Sequence, residues 1–542
     1  MVQNTLKKID QFYTGANRWW LPALCGLLYS LALPPFNSFW HPLFTLFPLL
    51  SFFALVPLLF FVTRKPLRRA LFHTAIYLFF MSLGQYYWIG FVTAEGLWVL
   101  VLIGTFLICI AVGLFYFVAA LSFRILRTTL PRGCLYIFPA VWVLVDYSRT
   151  LSDISFPWAL IGYSSAGFLP LAQLSSITGV WGLTFIIVMG NALVYDLLVA
   201  VKNGSAQVSQ NKVRAGILAA FVVVVSVWGI LRISGTDLSS ADTARVTKLQ
   251  SYMDQFNWNR SSLDTAFTVT DSMLSVVEPQ RPDLIILPES ALLCYLDRVP
   301  DHRRTVQSWA ARASVPIIIG ALHWDYPPED SPHKYHVYNS AFLIRPDSTD
   351  LKPYHKKMLV PFSEAMPFEA QFPILSRVNL GSAGFRRGAG ETVFAVNKKI
   401  RVSPNICYEI IYPEFVQKRL DSSINLLVNV TNDGWFGRSS GPYQHAAMAQ
   451  IRSVENGISL ARSANSGISM SVDPLGRVLS RTGLYERVIL TQDIPLIRLS
   501  TFYSRHGDWF VTLSMVMVIF GGVVVVRRRV SRGWRTQKKP PK

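Results

Sequence analysis

Four side chains in the second half of the chain have the types and settings for covalent acyl chemistry. Cys407 ends the apolar part of SPNICYEI (403–410) and is followed by Tyr408 and Glu409. A thiol of ordinary pKa is only a few per cent thiolate near neutrality, so it gains as a nucleophile from a neighbouring base. A carboxylate at a dry sheet rim supplies one. Glu289 stands in such a place, where the run LIILPE ends and Pro288 stops ladder pairing. A lysine ammonium can stabilise the oxyanion of a tetrahedral intermediate. Lys356 and, eight residues on, Glu364 lie in the Pro-rich stretch PYHKKMLVPFSEAMPFE. Singly, each has an ordinary explanation: a thiol packed as a small hydrophobe, a capping glutamate, a solvated lysine. Together they make a base, a cation and a nucleophile.

Histidine is the alternative base. His302, His323, His333, His336, His355, His445 and His506 lie in the same half, in no Cys-His protease signature and no HExxH or other metal spacing. The sequence therefore calls for neither a metal nor an organic cofactor. The five cysteines are Cys25, Cys109, Cys134, Cys294 and Cys407. Their odd, sparse count argues against a disulfide framework, and Cys294 reads as structural.

The elements that must position these groups alternate in period. RVTKLQ, DLIIL (283–287), VPIIIGAL (315–322), RVSPNI (401–406) and INLLVNV (424–430) read as buried strands. Helical spacing is expected over 261–277, 302–313, 413–420 and 444–462, with Pro413 suited to a first helical turn. Strands alternating with helices imply a layered α/β domain.

The first 240 residues have another character. The whole chain of 542 residues is 51% hydrophobic and only 15% charged, with net charge +20. Apolar runs of about 20 residues can span a bilayer as helices. Seven such runs are expected at 19–36, 41–62, 70–92, 97–123, 135–148, 172–200 and 214–234, and an eighth at 507–526. No small-residue cleavage site follows the first, which is therefore kept as a span. Arg64, Lys65, Arg68 and Arg69, then Arg124, Arg127 and Arg132, then Lys202, Lys212 and Arg214, and finally the tail RRRVSRGWRTQKKPPK lie on one side of these runs. By the positive-inside rule that side is cytoplasmic, and 240–505 lies outside. The charge is thus a topology signal and not a nucleic-acid footprint. Asp146 and Arg149, at i and i+3, are placed to pair at the outer end of a span. The aromatic loop SDISFPWALIGYSS (152–165) is expected to face outward, able to help hold a lipid headgroup.

The order PE, K, CYE resembles the Glu-Lys-Cys arrangement of the carbon–nitrogen hydrolase (nitrilase) superfamily. LPES, YHKKMLVPFSE, ICYE, TNDGWFG (431–437) and GPYQHAAMAQIRSVENGISLARSANSG (441–467) resemble the motifs of its membrane branch, the apolipoprotein N-acyltransferases. Ser363 stands where that family usually has glycine, Leu287 where an aromatic often precedes PE, and Gly434 where alanine is frequent. The resemblance covers nearly the whole chain. It implies a polytopic α-helical membrane domain of about eight transmembrane helices carrying a nitrilase-like α-β-β-α sandwich. The corresponding division is a membrane domain at 1–240, a periplasmic catalytic domain at 241–500, and a last helix with a basic cytoplasmic tail at 501–542.

For the site, the resemblance implies Glu289 as general base, Lys356 as electrostatic stabiliser and Cys407 as nucleophile. Glu364, Trp258, Tyr408, Glu409 and Trp435 are implied as supporting or substrate-binding residues. The implied reaction takes a fatty acyl group from a membrane phospholipid onto cysteine, then to the N-terminal amine of a diacylated apolipoprotein. The implied setting is the bacterial inner membrane, with the enzyme a monomer and no cofactor. Two other classes fit the same frame: a membrane-tethered amidase that uses water, and a receptor or transporter whose outer domain only binds. The amidase would turn over a soluble amide without phospholipid, and the receptor would tolerate loss of Cys407.

Overall fold

The strands of the outer half bury both faces, and their alternate residues go to different partners. Ile285, Leu287, Ile317, Ile319, Phe342 and Ile344 pack with one apolar cluster, whereas Leu284, Ile286, Ile318, Ala341 and Leu343 pack with another. A period of two with apolar residues at every position requires a covering layer on each side. In a computed structural model of the chain those layers are present. It describes residues 18–35, 47–92, 98–204, 207–253, 260–326, 334–351, 353–369, 371–372, 374–375, 384–390 and 392–537.

The first sheet contains β1 (Thr243–Gln250), β2 (Leu284–Ile286), β3 (Leu292–Tyr295), β4 (Ile317–Asp325), β5 (His336–Ile344), β6 (Pro353–His355) and a late strand, Val488–Pro495. The second contains β7 (Phe394–Ala395), β8 (Arg401–Ile406), β9 (Leu426–Thr431), β10 (Ser459–Ala464), β11 (Met470–Val472) and β12 (Val478–Arg481). With the late strand as β13, the orders are β13-β1-β2-β4-β5-β6, with β3 also on β4, and β12-β11-β10-β9-β8-β7. The strands β1, β2 and β4 run parallel, as do β8, β9 and β10. Ser463 Oγ donates across the sandwich to the carbonyls of Leu249 and Ile286 at 3.3 and 3.2 Å. Helices Arg260–Val277 and Pro300–Ala313 cover the first sheet through Leu274, Val277, Val306 and Trp309. Helix Gly441–Asn456 covers the second through Ala447, Met448 and Ile451. The result is the α-β-β-α sandwich expected from the sequence.

The membrane half differs from the expected count. Among the described residues, four helices are long and apolar enough to cross a bilayer: Trp98–Thr129, Ser175–Lys202, Gln207–Gly235 and Trp509–Arg528. Exposed Ile103, Phe106, Leu107, Ile110, Leu114 and Val118 give the first of these an apolar outer face. The other expected spans meet shorter or more polar helices. Cys134–Ser148 has 15 residues, about 22 Å at 1.5 Å per residue against a core of about 30 Å. Trp20–Ala32 and Pro48–Val62 are also short, and part of the expected run at 41–62 lies outside the described residues. Leu67–Tyr86 is long enough, but Arg68, Arg69, His73, Thr74 and Gln85 dilute its apolar character.

The loop expected to face outward is instead the buried joint between the two halves. Arg149 reaches into it: Nη2 donates to the carbonyls of Phe156 and Trp158 at 2.8 and 3.0 Å and to Tyr86 Oη at 2.8 Å, while Nη1 donates to Tyr116 Oη at 2.6 Å. Asp146 lies 3.8 Å from the guanidinium and accepts from Tyr116 Oη at 2.7 Å. The loop takes this course because two carbonyls and a cation satisfy one another there. On its other side, Trp158 Nε1 and Trp88 Nε1 both donate to Gln444 Oε1, at 2.8 and 3.2 Å, tying the membrane half to the helix Gly441–Asn456.

Replacing Arg149 by Leu removes the cation that faces the buried Asp146 carboxylate and takes one donor from each of two carbonyls. Loss of one partner of such a group costs about 3–5 kcal/mol. The thermal midpoint in detergent should fall markedly, with Arg149→Lys recovering only part, since a single ammonium lacks the planar five-donor fork that serves four oxygens here. An unchanged midpoint in Arg149→Leu would remove the joint's importance.

Candidate active site

Glu289 occupies a break in the first sheet. The strands β2 and β3 pair with successive parts of β4, and Leu287 to Ser290 bridge them. Ladder bonds continue on either side: Leu287 N donates to the Ile318 carbonyl at 2.8 Å and Ala291 N to the Gly320 carbonyl at 3.1 Å. Opposite the break lies Gly320, where a Cβ would fall 2.6 Å from Glu289 Cα. Glycine is thus required for the carboxylate's backbone to approach so closely.

Cys407 begins a short 3-10 turn, Cys407–Ile411, directly after β8. Its φ is +48°, a left-handed conformation that costs a non-glycine residue and persists only where the surroundings enforce it. Glu409 supplies much of that enforcement. Its Oε2 accepts from Ile406 N at 2.7 Å; its Oε1 accepts from Lys357 N and Tyr354 Oη at 2.7 Å and from Met358 N at 3.3 Å. One buried carboxylate thereby ties the cysteine turn to the segment bearing Lys356. Glu409, expected to support the site or bind substrate, is wholly engaged in positioning. The Cys407 carbonyl accepts from Asn429 Nδ2 at 3.4 Å and faces His445 Nε2 at 3.2 Å.

Lys356 is buried between two carboxylates. Its Nζ donates to Glu289 Oε1 at 3.3 Å and to Glu364 Oε1 at 2.8 Å. Asn339 Nδ2 donates to the same two oxygens at 2.8 and 2.9 Å, and Asn432 N donates to Glu289 Oε2 at 2.9 Å. Glu364 Oε2 accepts from Val360 N at 2.9 Å, within its own loop. Burial pulls the Lys356 ammonium down, but the Glu289 and Glu364 charges outweigh it and hold the group above its ordinary value. Burial pushes Glu289 up, opposed by Lys356 and reinforced by Glu364. Burial and the Glu289 charge push the Cys407 thiol up. The resting arrangement is therefore a neutral thiol beside a carboxylate whose proton affinity is increased, with a fixed cation between the acids.

Glu289, Lys356 and Cys407 follow the carboxyl ends of β2, β6 and β8, where open α/β sheets place ligands. Thr431, Asn432 and Asp433 extend β9 into the same region. Asp433 Oδ1 accepts from Thr431 Oγ1 at 3.0 Å and faces His445 Nδ1 at 2.8 Å, while Oδ2 accepts from Arg462 Nη2 at 2.6 Å. Burial raises the Asp433 carboxyl, but the Arg462 and His445 contributions dominate and hold it well below the usual range. Tyr408 points away from the thiol, its Oη donating to the Ser155 carbonyl at 2.7 Å beneath the rings of Phe156 and Trp158. Trp435 is half-buried on the turn Asp433–Phe436. Trp258 lies outside the described residues.

The structure thus brings Glu289, Lys356, Glu364 and Cys407 together and turns Tyr408 and Glu409 to structural partners. Asn339, His445 and Arg462 are parts of the site that no chemical reading of the sequence singled out. His445 and Arg462 lie in a quoted motif, but nothing local says that they hold Asp433 and the cysteine turn.

The carbon–nitrogen hydrolase family model matches residues 253–502, and that of the apolipoprotein N-acyltransferase N-terminal domain matches 25–193. An apolipoprotein N-acyltransferase of Rickettsia prowazekii is 30% identical over 385 residues, covering 71% of this chain and 75% of the relative. This chain belongs to the apolipoprotein N-acyltransferase family. A relative of the same name from Chlorobaculum tepidum is 28% identical and covers 94% of this chain and 97% of its own. A solved amidase from Nesterenkonia sp. is 19% identical, covers 49% of this chain and 96% of its own, and has a TM-score of 0.35.

Two consequences of the geometry are measurable on this acyltransferase family member. Gly320→Ala should displace Glu289 and lower acyltransferase activity while the protein remains folded; unchanged activity would mean the break tolerates a Cβ. Asp433 has a depressed folded pKa, so its contribution is present above the ordinary carboxyl value and is lost as pH falls through the depressed one. Asp433→Asn should accordingly be less stable than the parent at pH 7, and the gap should narrow below about pH 4, as read from thermal midpoints against pH. A gap that widens in acid would contradict the assignment.

Proposed function

We propose that this chain is a multi-pass enzyme of the bacterial inner membrane, its α/β domain on the periplasmic side. It transfers a fatty acyl group from a membrane phospholipid, through a thioester on Cys407, to the N-terminal amine of an S-diacylglyceryl-cysteine apolipoprotein. The observation that carries the reading is the convergence of the Glu289 carboxylate, the Lys356 ammonium and the Cys407 thiol at strand ends, beside the aromatic joint to the membrane helices. The distribution of Lys and Arg between the apolar runs supports the orientation, and a lipid-level site suits two lipid-anchored substrates by proximity.

In the first half-reaction Glu289 takes the proton from Cys407 Sγ as sulfur attacks the ester carbonyl. The S–C bond forms, the oxyanion is stabilised by Lys356, and the C–O bond breaks. Glu289 returns the proton to the departing lysophospholipid oxygen. In the second, the acceptor amine attacks the thioester carbon, Glu289 takes an amine proton, and the S–C bond breaks as the amide forms. The proton then returns to sulfur. Burial raises the proton affinity of the Cys407 thiol, which keeps the proton on sulfur until attack begins, and the raised affinity of Glu289 suits it to take that proton.

Glu364 and Asn339 hold Lys356 and Glu289 in register. Glu409 and Tyr408 position the nucleophile turn, Trp435 contacts substrate, and Trp258 is retained as a substrate-binding residue on the sequence resemblance alone. The enzyme acts as a monomer, without a cofactor required for the transfer.

The test is intact-mass spectrometry of the detergent-purified protein after incubation with phospholipid. A fatty-acyl increment, labile to hydroxylamine, is expected in the parent and absent from Cys407→Ala. Glu289→Gln should form it about 10²–10⁴-fold more slowly. An adduct that persists in Cys407→Ala, or no adduct with any phospholipid headgroup, would overturn the thioester route.

A further inference from the structure

Beyond the catalytic groups, metal-capable side chains converge near the outer end of the first sheet. His323 and Asp325 are two residues apart on β4 and so share a face. His355 ends β6, one strand beyond β5, and Asp297 comes from the loop after β3. His323 Nε2 lies 3.0 Å from Asp297 Oδ2 and 3.5 Å from Asp325 Oδ1. The ligand atoms of His323, Asp325 and His355 all lie within 4.8 Å of one another. A tetrahedral ion bound at about 2.0–2.2 Å spaces its ligands about 3.3–3.6 Å apart, so small side-chain rotations close the set.

Two further observations favour a ligand here. Asp297 Oδ1 is buried without a hydrogen-bond partner; an orphaned buried polar atom of this kind calls for an explanation. His355 Nδ1 is held 2.9 Å from Ser340 Oγ, which directs the ring and leaves Nε2 for coordination, as an oriented imidazole ligand requires.

The rings of His323 and His355 stack with centroids 4.8 Å apart, and Tyr338 stacks on His355 at 4.2 Å. Coordination by both imidazoles tilts them out of that stack. Arg298 Nη2 donates to Asp325 Oδ1 at 2.8 Å, and its Nε lies 3.6 Å from Asp297 Oδ2. This half-exposed guanidinium neutralises the carboxylates and competes with a cation, from a position where it can swing into solvent.

We propose that Asp297, His323, Asp325 and His355 form a binding site for a zinc-class divalent ion. Two imidazoles with two carboxylates favour a borderline transition ion over magnesium or calcium, which prefer all-oxygen cages. The site is separate from the acyl chemistry but mechanically next to it. His355 precedes Lys356, and Lys356 N donates to the Asn339 carbonyl at 2.9 Å, so an ion here pins the strand end from which the ammonium projects. The ligands come from three separate segments, which is why no linear spacing announced them.

The experiment uses the full-length chain in detergent, carrying no polyhistidine tag and freed of metal by chelation. Zn2+ is titrated by calorimetry and Co2+ by visible absorption. One saturable equivalent is expected, with Co2+ bands of a low-coordinate nitrogen–oxygen site. His323→Gln and Asp325→Ala should each weaken binding about tenfold or more, whereas Arg298→Ala should tighten it. Asp325 is half-exposed, so its variant remains informative if His323→Gln fails to fold. Absence of saturable zinc binding in the parent, or affinity unchanged in Asp325→Ala, would overturn the proposal.

Discussion

A single buried ammonium, Lys356, is the constraint on which the site depends. Taking one cation and two carboxylates out of water costs several kcal/mol per ion unless each is paired and hydrogen-bonded. Here Lys356 is shared between Glu289 and Glu364, and the Asn339 amide bridges the same two oxygens. No member of the group can move without stranding another. This fixes the loop after β6 against the break between β2 and β3, and so sets where a base can stand relative to the cysteine. The same grouping keeps the lysine charged, which an oxyanion requires.

Cys407 is held by a second set of bonds, joined to the first through the lysine loop. The Glu409 carboxylate gathers backbone donors from both the cysteine turn and the lysine loop. Asp433, Arg462 and His445 support the other side of the turn, where His445 faces the Cys407 carbonyl. A strained φ at Cys407 persists because it is over-determined in this way. The polar groups doing this are deeply buried, which explains how a sandwich of largely apolar strands retains so many charges near one rim: each is paired or bonded by backbone.

The site is also tied to the membrane half. Tyr408, next to the nucleophile, bonds the Ser155 carbonyl, and Trp158 bonds Gln444 on the helix that bears His445. Arg149 anchors the same loop from the membrane side through the carbonyls of Phe156 and Trp158. The aromatic loop is therefore a rigid coupling between the apolar helices and the catalytic layer. Its apolar rings suggested a lipid-facing segment when read alone, because an aromatic run has the same composition whether it meets lipid or another domain.

The sequence by itself marked Glu289, Lys356 and Cys407 as a candidate base, cation and nucleophile, and determined the alternation that builds two buried sheets and the apolar character of the first half. These are local properties: residue type, period and run length are written in neighbouring positions. It did not determine how many runs become helices long and apolar enough to cross a bilayer, because an apolar run can break into short helices, as Cys134–Ser148 does, or carry polar residues such as Arg68 and His73. Nor could it show that Glu409 turns inward to backbone amides, that Asn339 bridges two acids, or that Asp297, His323 and His355 meet. Those contacts join segments tens to hundreds of residues apart. Only strand order and register bring such segments within hydrogen-bonding distance, and desolvation, not residue type, then decides which charges must pair.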